Sequence, residues 1–129
     1  MFARHMFNPE GFKNTVVDGK TVGFQFDFKI QYYRGATLSI IRNIEVWVDG
    51  EGFNREDIRF TLEGDTFTLE EMRTVIDYRW KFGQWATVTV LKDGGLAKGK
   101  HHIKSTQTIA PSYMPHILVN SGEYDFVIE

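Results

Sequence analysis

Four histidines are the side chains in this sequence best suited to bind a metal ion or to transfer a proton: His5, the adjacent pair His101 and His102, and His116. Neighbouring residues on a β-strand point to opposite faces, so His101 and His102 cannot both reach one ion unless the backbone bulges. The pattern favours one half-buried and one solvated imidazole. A self-sufficient enzyme that uses either of them with nearby carboxylates stays open as a third alternative.

The sequence also lacks the signatures of nucleophilic and phosphate chemistry. It contains no cysteine and no G-x-S-x-G nucleophile elbow. The glycine-containing stretches 50–52 and 93–95 lack the spacing of a phosphate-binding loop and are predicted to be turns. The carboxylate pairs Glu56-Asp57 and Glu70-Glu71 are interpreted as surface charge. We therefore predict neither catalytic residues nor a metal or cofactor site in this chain.

Aromatic residues cluster in three segments next to predicted strands: 31–35, 77–83 and 111–115. Flat amphipathic rings beside arginine recur at protein interfaces and at sugar-stacking platforms, because they give contact area at little entropic cost. Three interpretations stay open: the rings cap the ends of a small core, form an interface, or stack on a ligand. In the last case Trp80, Trp85 or Trp47 would be the platform of a free-standing carbohydrate-binding module.

The elements that position these segments are predicted to be strands. Residues 21–30 alternate between apolar and polar side chains, as in a half-buried strand. Residues 12–17 precede Asp18-Gly19, which supplies the positive φ angles of a two-residue type I′ hairpin. The two strands should therefore pair antiparallel. Further alternating runs lie at 44–48, 58–62, 86–91 and 124–128, and turns are predicted at Asp49-Gly50, Gly64-Asp65 and 93–95.

Two segments are less regular. Residues 100–109 form a more polar strand candidate, which we expect near a sheet edge. Thr68 and Glu71 fit a capping box and predict a helix of about two turns, since the β-branched residues 74–76 disfavour its extension. Strands about ten residues apart with almost no helix predict an all-β fold. We expect an antiparallel β-sandwich of two layers, jelly-roll or immunoglobulin-like, with at most one short helix.

Length and composition limit what the chain can be. With 129 residues, 42% of them hydrophobic and 15% aromatic, it has material for one core, and we predict a single domain over residues 1–129. The net charge of −2 gives no basic stripe for nucleic acid. The sequence shows no cysteine, no apolar leader after Met1 and no apolar run near the roughly 20 residues of a membrane helix. These features predict a soluble, cytoplasmic protein without a membrane partner.

A series of short motifs follows the chain in order: Gly23-Phe24-Gln25-Phe26-Asp27, Tyr32-Tyr33-Arg34-Gly35, Ile58-Arg59-Phe60-Thr61-Leu62, Thr68-Leu69-Glu70-Glu71, Arg79-Trp80-x-Phe82-Gly83, Gly94-Gly95-Leu96 and Ser112-Tyr113-Met114-Pro115. Together they resemble the β subunit of bacterial C-glycoside deglycosidases. The resemblance spans nearly the whole chain and depends on the order of the motifs. One departure is Gln31, which stands where the family pattern has a proline.

This resemblance implies a two-subunit, lyase-type enzyme that cleaves the carbon–carbon bond between a sugar, previously oxidised to its 3-oxo form, and an aromatic aglycone such as a flavonoid. It implies a larger α subunit with a sugar-isomerase-type TIM barrel, which holds a divalent metal, manganese, and the acid–base residues. The implied chemistry is proton abstraction beside the ketone, with the metal stabilising an enediolate-like charge, and then elimination of the aglycone. The small subunit would cover the barrel mouth in a heterodimer or a higher α/β oligomer.

We therefore predict a non-catalytic subunit. Its partner-interface or substrate-proximal residues are predicted to be Tyr32, Tyr33, Arg34, Tyr113 and Met114. Arg34 would pair with an acidic group of the partner, where its planar fork gives orientation as well as charge. Trp80 is the candidate sugar-stacking residue. The alternative is the free-standing carbohydrate-binding module.

Overall fold

The computed structural model describes residues 6–30, 34–110 and 117–129. In these ranges the chain forms antiparallel sheets of five, four and two strands. The strands are β1 (Lys13–Val17), β2 (Lys20–Lys29), β3 (Ala36–Thr37), β4 (Ile41–Val48), β5 (Glu51–Gly52), β6 (Ile58–Leu62), β7 (Asp65–Thr68), β8 (Arg79–Trp80), β9 (Trp85–Leu91), β10 (Gly99–Ile109) and β11 (Leu118–Ile128). The helical segments are the 3-10 turns η1 (Leu38–Ile40) and η2 (Arg55–Asp57) and the α-helix α1 (Leu69–Met72).

Two of these sheets form the two layers of the fold. Sheet I has the strand order β1-β2-β9-β6-β7, sheet II has the order β11-β10-β4-β5, and β3 pairs with β8 separately. The apolar residues of the alternating runs are buried in one hydrophobic cluster, with Phe26 and Val88 from sheet I and Ile44 and Ile103 from sheet II all 0% exposed. Each such side chain contributes about 1.5–3 kcal/mol of burial free energy. The predicted antiparallel β-sandwich is confirmed.

Tight turns set the register of the hairpins. The predicted turns at Asp18-Gly19 and Asp49-Gly50 have φ angles of 52° and 79°, and of 52° and 85°, as a type I′ turn requires. The third turn is centred on Glu63-Gly64, with φ angles of 53° and 89°, one residue earlier than the predicted Gly64-Asp65. Glycine takes the second central position there, because Asp65 already pairs with Leu62 in the β6–β7 ladder.

Strand β10 corrects one expectation. We expected it near a sheet edge, but it pairs with β11 on one side and with β4 on the other. Its polar residues Ser105 and Gln107 are 0% exposed. They tolerate burial because each has a hydrogen-bond partner: Ser105 Oγ donates to the Glu45 carbonyl at 2.9 Å, and Gln107 Nε2 donates to the Lys29 carbonyl at 2.8 Å.

The predicted helix start is confirmed in α1. The Thr68 hydroxyl accepts from the Glu71 N–H at 3.0 Å, and the Glu71 carboxylate accepts from the Thr68 N–H at 2.8 Å, which completes the capping box. The helix has one turn, shorter than predicted, and buries Leu69 and Met72 against the core. No helix within the described ranges is long and apolar enough to cross a bilayer.

Candidate functional site at the loop end of the sandwich

The strand ends that lead into three of the connections lie together at one end of the sandwich. Strand β2 ends at Lys29 and β10 ends at Ile109, and the Gln107 amide joins these two strand ends by its hydrogen bond to the Lys29 carbonyl. The connection between β8 and β9 lies at the same end, because Trp85, the first residue of β9, pairs with Lys29. We call this side of the molecule the loop end.

The opposite side, the turn end, contains the tight turns at Asp18-Gly19 and Asp49-Gly50 and the connection between β9 and β10, with its turn at 93–95. The Lys92 ammonium lies 3.9 Å from the Glu51 carboxylate across the two sheets at this end. The exposed aromatic side chains of Phe82 and Trp85 are at the loop end, so this is the side with material for recognition.

Of the predicted interface residues, only Arg34 belongs to the described part of the chain. Tyr32, Tyr33, Tyr113 and Met114 lie outside the described residues. The chain leaves the described structure at Ile30 and re-enters at Arg34, and it leaves at Ala110 and re-enters at Ile117. Ala110 is fixed to the loop end by its N–H, which donates to the Ile40 carbonyl at 2.9 Å. Both predicted segments therefore start from the loop end.

The backbone of Arg34 is held in place by contacts with neighbouring residues. Its carbonyl accepts a hydrogen bond from the Arg79 guanidinium, and the residue itself is exposed. The next residue, Gly35, has a φ of 69°, and a Cβ there would lie 2.6 Å from the Trp80 carbonyl oxygen. Only glycine permits this close approach to β8. The backbone at Arg34 is thus fixed against β8, while its side chain lies at the surface.

The structure does not place Trp80 where a sugar could stack on it. Its ring is 0% exposed and lies 5.3 Å from the ring of Phe28 and 5.1 Å from that of Phe60, centroid to centroid. Its indole N–H donates to the Gln84 carbonyl at 2.9 Å. A tryptophan whose N–H finds a partner can be buried fully and adds a large apolar area to the core. Trp80 therefore caps the core, and the expectation of sugar stacking there was wrong.

Sequence reasoning named Trp85 only as one possible platform of the alternative carbohydrate-binding module and Phe82 only as part of an aromatic segment and a family motif. In the described part of the chain these two are the exposed aromatic side chains of the loop end. Phe82 is 58% exposed and Trp85 is 39% exposed, and the Lys29 ammonium lies 4.5 Å from the centroid of the Trp85 ring. The sequence signal for the exposure of Trp85 was the alternation of inward-facing and outward-facing residues along β9. Because Ala86 and Val88 point inward, the residue before them must point outward.

The two adjacent histidines lie away from the loop end, at the start of β10. The side chain of His101 is 12% exposed, and its Nδ1 lies 2.7 Å from the Asp49 carboxylate. The side chain of His102 is 46% exposed, with Nδ1 2.5 Å from Asp125 and Nε2 2.7 Å from Glu123. The interpretation of one half-buried and one solvated imidazole agrees with the structure, in which His101 is half-buried as a residue and His102 is exposed.

The hydrogen bonds of both rings favour the protonated form. The carboxylates of Asp125 and Glu123 raise the pKa of His102 above its ordinary value. Burial opposes protonation of His101, but the Ala97 carbonyl and the Asp49 carboxylate outweigh it and raise the pKa of His101 as well. The same contact with His101, together with the His102 N–H, lowers the pKa of Asp49.

A metal does not fit this histidine pair. A histidine binds a metal through an unprotonated ring nitrogen, whereas both ring nitrogens of His102 face carboxylate oxygens at hydrogen-bond distance. No group of three or more His, Cys, Asp or Glu side chains in the part of the chain that the structure describes could hold a metal ion.

The fold and the loop end define a class: a small β-sandwich protein with one elaborated end that offers exposed aromatic residues. The family of C-glycoside deglycosidase beta subunits matches residues 2–113. The chain belongs to this family.

Characterised relatives agree with this assignment. A C-glycoside deglycosidase beta subunit from Eubacterium cellulosolvens is 38% identical over 116 residues, which cover 89% of this chain and 79% of the relative. The C-glycoside deglycosidase beta subunit of Microbacterium trichothecenolyticum is 28% identical over 75% of this chain and 71% of its own length. A 3'-dehydrocarminate deglycosidase beta subunit from a Microbacterium species is 29% identical over 72% of this chain and 70% of its own length.

Proposed function

We propose that this chain is the small subunit of a heteromeric C-glycoside deglycosidase, which cleaves the carbon–carbon bond of 3-oxo-C-glycosides, such as those of flavonoids, in a lyase-type reaction in the cytoplasm. The observation that carries the proposal is the family match over residues 2–113. The name of the Microbacterium relative, a deglycosidase of 3'-dehydrocarminate, supports an oxidised sugar as the substrate class. The lack of cysteine agrees with a reducing compartment.

In this proposal the chain shapes the active site and does not catalyse the reaction. The catalytic metal, manganese, and the acid–base residues belong to an α subunit with a sugar-isomerase-type TIM barrel. In this chain the imidazole of His102 is already engaged by two carboxylates, which supports assigning the metal to the partner. Arg34 is the one described residue that we assign to the contact with that partner.

The loop end is the surface that we assign to the α subunit. It carries the flanks of both segments with the predicted contact residues Tyr32, Tyr33, Arg34, Tyr113 and Met114. Phe82 and Trp85 are exposed beside these flanks, and aromatic residues are enriched at the centres of protein interfaces.

Co-expression tests the assembly. This chain, with an affinity tag at the turn end, is co-expressed and purified together with the product of the neighbouring reading frame. The purified material is then analysed by size-exclusion chromatography with light scattering. We expect one species that contains both chains at a fixed ratio and survives dilution to about 1 μM, as an interface of standard size does. Separate elution of the two chains at that concentration would contradict the proposal.

A further inference from the structure

The outer face of sheet II carries a row of four residues that lie directly opposite one another. Gly52 of β5 pairs with Trp47 of β4, Trp47 pairs with Lys104 of β10, and Lys104 pairs with Glu123 of β11. The row crosses all four strands of the sheet. Opposed residues on one face have Cβ atoms about 5 Å apart, so these side chains share one patch of surface, which we call the Trp47 row.

The indole edge of Trp47 packs on the bare backbone of Gly52. A Cβ at Gly52 would lie 3.1 Å from both Cδ1 and Nε1 of the indole, so the glycine is what lets the ring lie in this position. The Lys104 ammonium lies 5.4 Å from the ring centroid. Within the described residues the indole N–H of Trp47 has no hydrogen-bond partner, in contrast to that of Trp80.

A shallow depression of about 250 Å³ lies over this row. Trp47, Gly50, His102, Lys104 and Glu123 line it. The depression therefore combines one aromatic ring with N–H donors from an indole and an ammonium and with a carboxylate acceptor. The carboxylate is pre-ordered, because that of Glu123 is 2.7 Å from Nε2 of His102.

This combination matches the chemistry of a sugar ring. A pyranose has an apolar face of C–H groups, which packs on an aromatic plane, and a rim of hydroxyls, each of which donates and accepts hydrogen bonds. An anionic ligand would be repelled by the carboxylates of Glu123 and Asp125. A purely apolar ligand would remove water from the charged groups at the rim without replacing their hydrogen bonds. A neutral polyhydroxylated ring satisfies both parts of the surface.

We propose that the Trp47 row is a binding site for the pyranose ring of a neutral glycoside, separate from the loop end. The ring stacks on the indole, and its hydroxyls bind Lys104, Glu123 and the Trp47 N–H. The site is open and shallow, so a dissociation constant on the order of 1 mM is expected. It would hold a second sugar of the substrate, or another glycoside, on the side of the subunit away from the predicted partner contact.

The unmodified full chain provides the first test. Its three tryptophans give three indole N–H signals in a ¹⁵N-correlated NMR spectrum, which single Trp→Phe variants assign. Titration with methyl β-D-glucopyranoside should shift the Trp47 indole signal saturably and leave that of the buried Trp80 in place. No movement of the Trp47 signal up to about 50 mM sugar, well above the expected constant, would overturn the proposal.

Two variants test the geometry. Trp47→Ala should weaken binding of the same glycoside about tenfold or more by calorimetry, and Gly52→Val should do so while Trp47 is retained, because the new side chain collides with the indole and displaces the ring. Trp85→Ala is the matched control and should leave the affinity unchanged. Equal affinity in all four proteins would overturn the proposal. So would a Trp47 signal that responds to the purified partner subunit and not to the sugar, since the row would then be a protein interface.

Discussion

The side-chain amide of Gln107 in sheet II and the backbone carbonyl of Lys29 in sheet I are joined by a hydrogen bond of 2.8 Å. This bond joins the two layers close to the ends of β2 and β10. The segments with the predicted contact residues follow these two strand ends. The buried glutamine thus ties together the strand ends from which the loop end is built.

Gln107→Leu should destabilise the chain and loosen the loop end. The substitution keeps the volume but leaves the Lys29 carbonyl without this donor in a site where Gln107 is 0% exposed, which costs about 1–3 kcal/mol. Urea denaturation monitored by tryptophan fluorescence measures the change. Gln25→Leu is the matched control: Gln25 is half-buried, its side-chain oxygen accepts a hydrogen bond from the Thr15 hydroxyl, and a loss under about 1 kcal/mol is expected there. Equal losses in the two variants would contradict the special role of Gln107.

Arg34→Ala should weaken assembly with the α subunit more than it weakens folding. The residue is exposed, and its backbone is held by the Arg79 guanidinium and by the close approach of Gly35 to β8, so these backbone contacts remain after truncation. An arginine that pairs with a buried acidic group of a partner is worth about 2 kcal/mol or more. Pull-down titration and thermal melting measure the two effects. Lys20→Ala, which removes an exposed cation at the turn end, should change neither. Unchanged assembly with a lowered melting temperature would show that Arg34 serves the fold.

Thr68→Ala should cost about 1 kcal/mol of folding free energy, because the Glu71 N–H loses its hydroxyl acceptor at the start of α1. Chemical denaturation of the two proteins measures the difference. Thr68→Ser keeps the hydroxyl and should retain most of the stability. A serine variant as unstable as the alanine variant would assign the effect to packing of the threonine methyl group.

The His102 cluster predicts a falling stability as the solution becomes alkaline. The pKa of His102 in the folded chain lies above its ordinary value of 6.5, because the Asp125 and Glu123 carboxylates favour the imidazolium. The contribution is therefore fully present below about pH 6.5 and is lost as the pH rises through the raised pKa. Urea midpoints measured between about pH 5.5 and about pH 8.5 should fall with pH.

His102→Gln should flatten part of that slope, while His101, whose pKa is also raised, contributes to the slope that remains. Asp49 acts in another window: its pKa is lowered from 3.8, so its contribution is present above that value and is lost as the pH falls through the lowered pKa. The slope above pH 6.5 does not involve it. A His102→Gln protein with the full slope of the parent would contradict the ion-pair account.

The sandwich could be predicted from the sequence where local chemistry decides the structure. Alternation in β2 and the positive φ angles of Asp18-Gly19 and Asp49-Gly50 set both pairing and register. The error at β10 has a physical origin. A strand with Ser105 and Gln107 on its inward face looks polar, and only the tertiary structure supplies the carbonyls of Glu45 and Lys29 that satisfy them.

The candidate site was harder to predict, because exposure of an aromatic ring depends on its neighbours. Trp80 and Trp85 both stand in a loop-like, aromatic segment. The first enters the core because the Gln84 carbonyl accepts its N–H, and the second stays outside beside Lys29. The alternation of inward-facing and outward-facing residues along β9 could have distinguished these two tryptophans. The pairing of Trp47 with Gly52 follows from the tight turn at Asp49-Gly50. The pairing of Trp47 with Lys104 could not be predicted, since register between distant strands is a tertiary property.

Turnover by the separate and combined subunits tests the account most directly. The purified chain, the α subunit and their complex are each incubated with a 3-oxo-C-glycoside, and release of the aromatic aglycone is followed by chromatography. We expect release by the complex, loss of that activity on treatment with a chelator, and no release by this chain alone. Release of aglycone by this chain in the absence of the α subunit would contradict the assignment of catalysis to the partner.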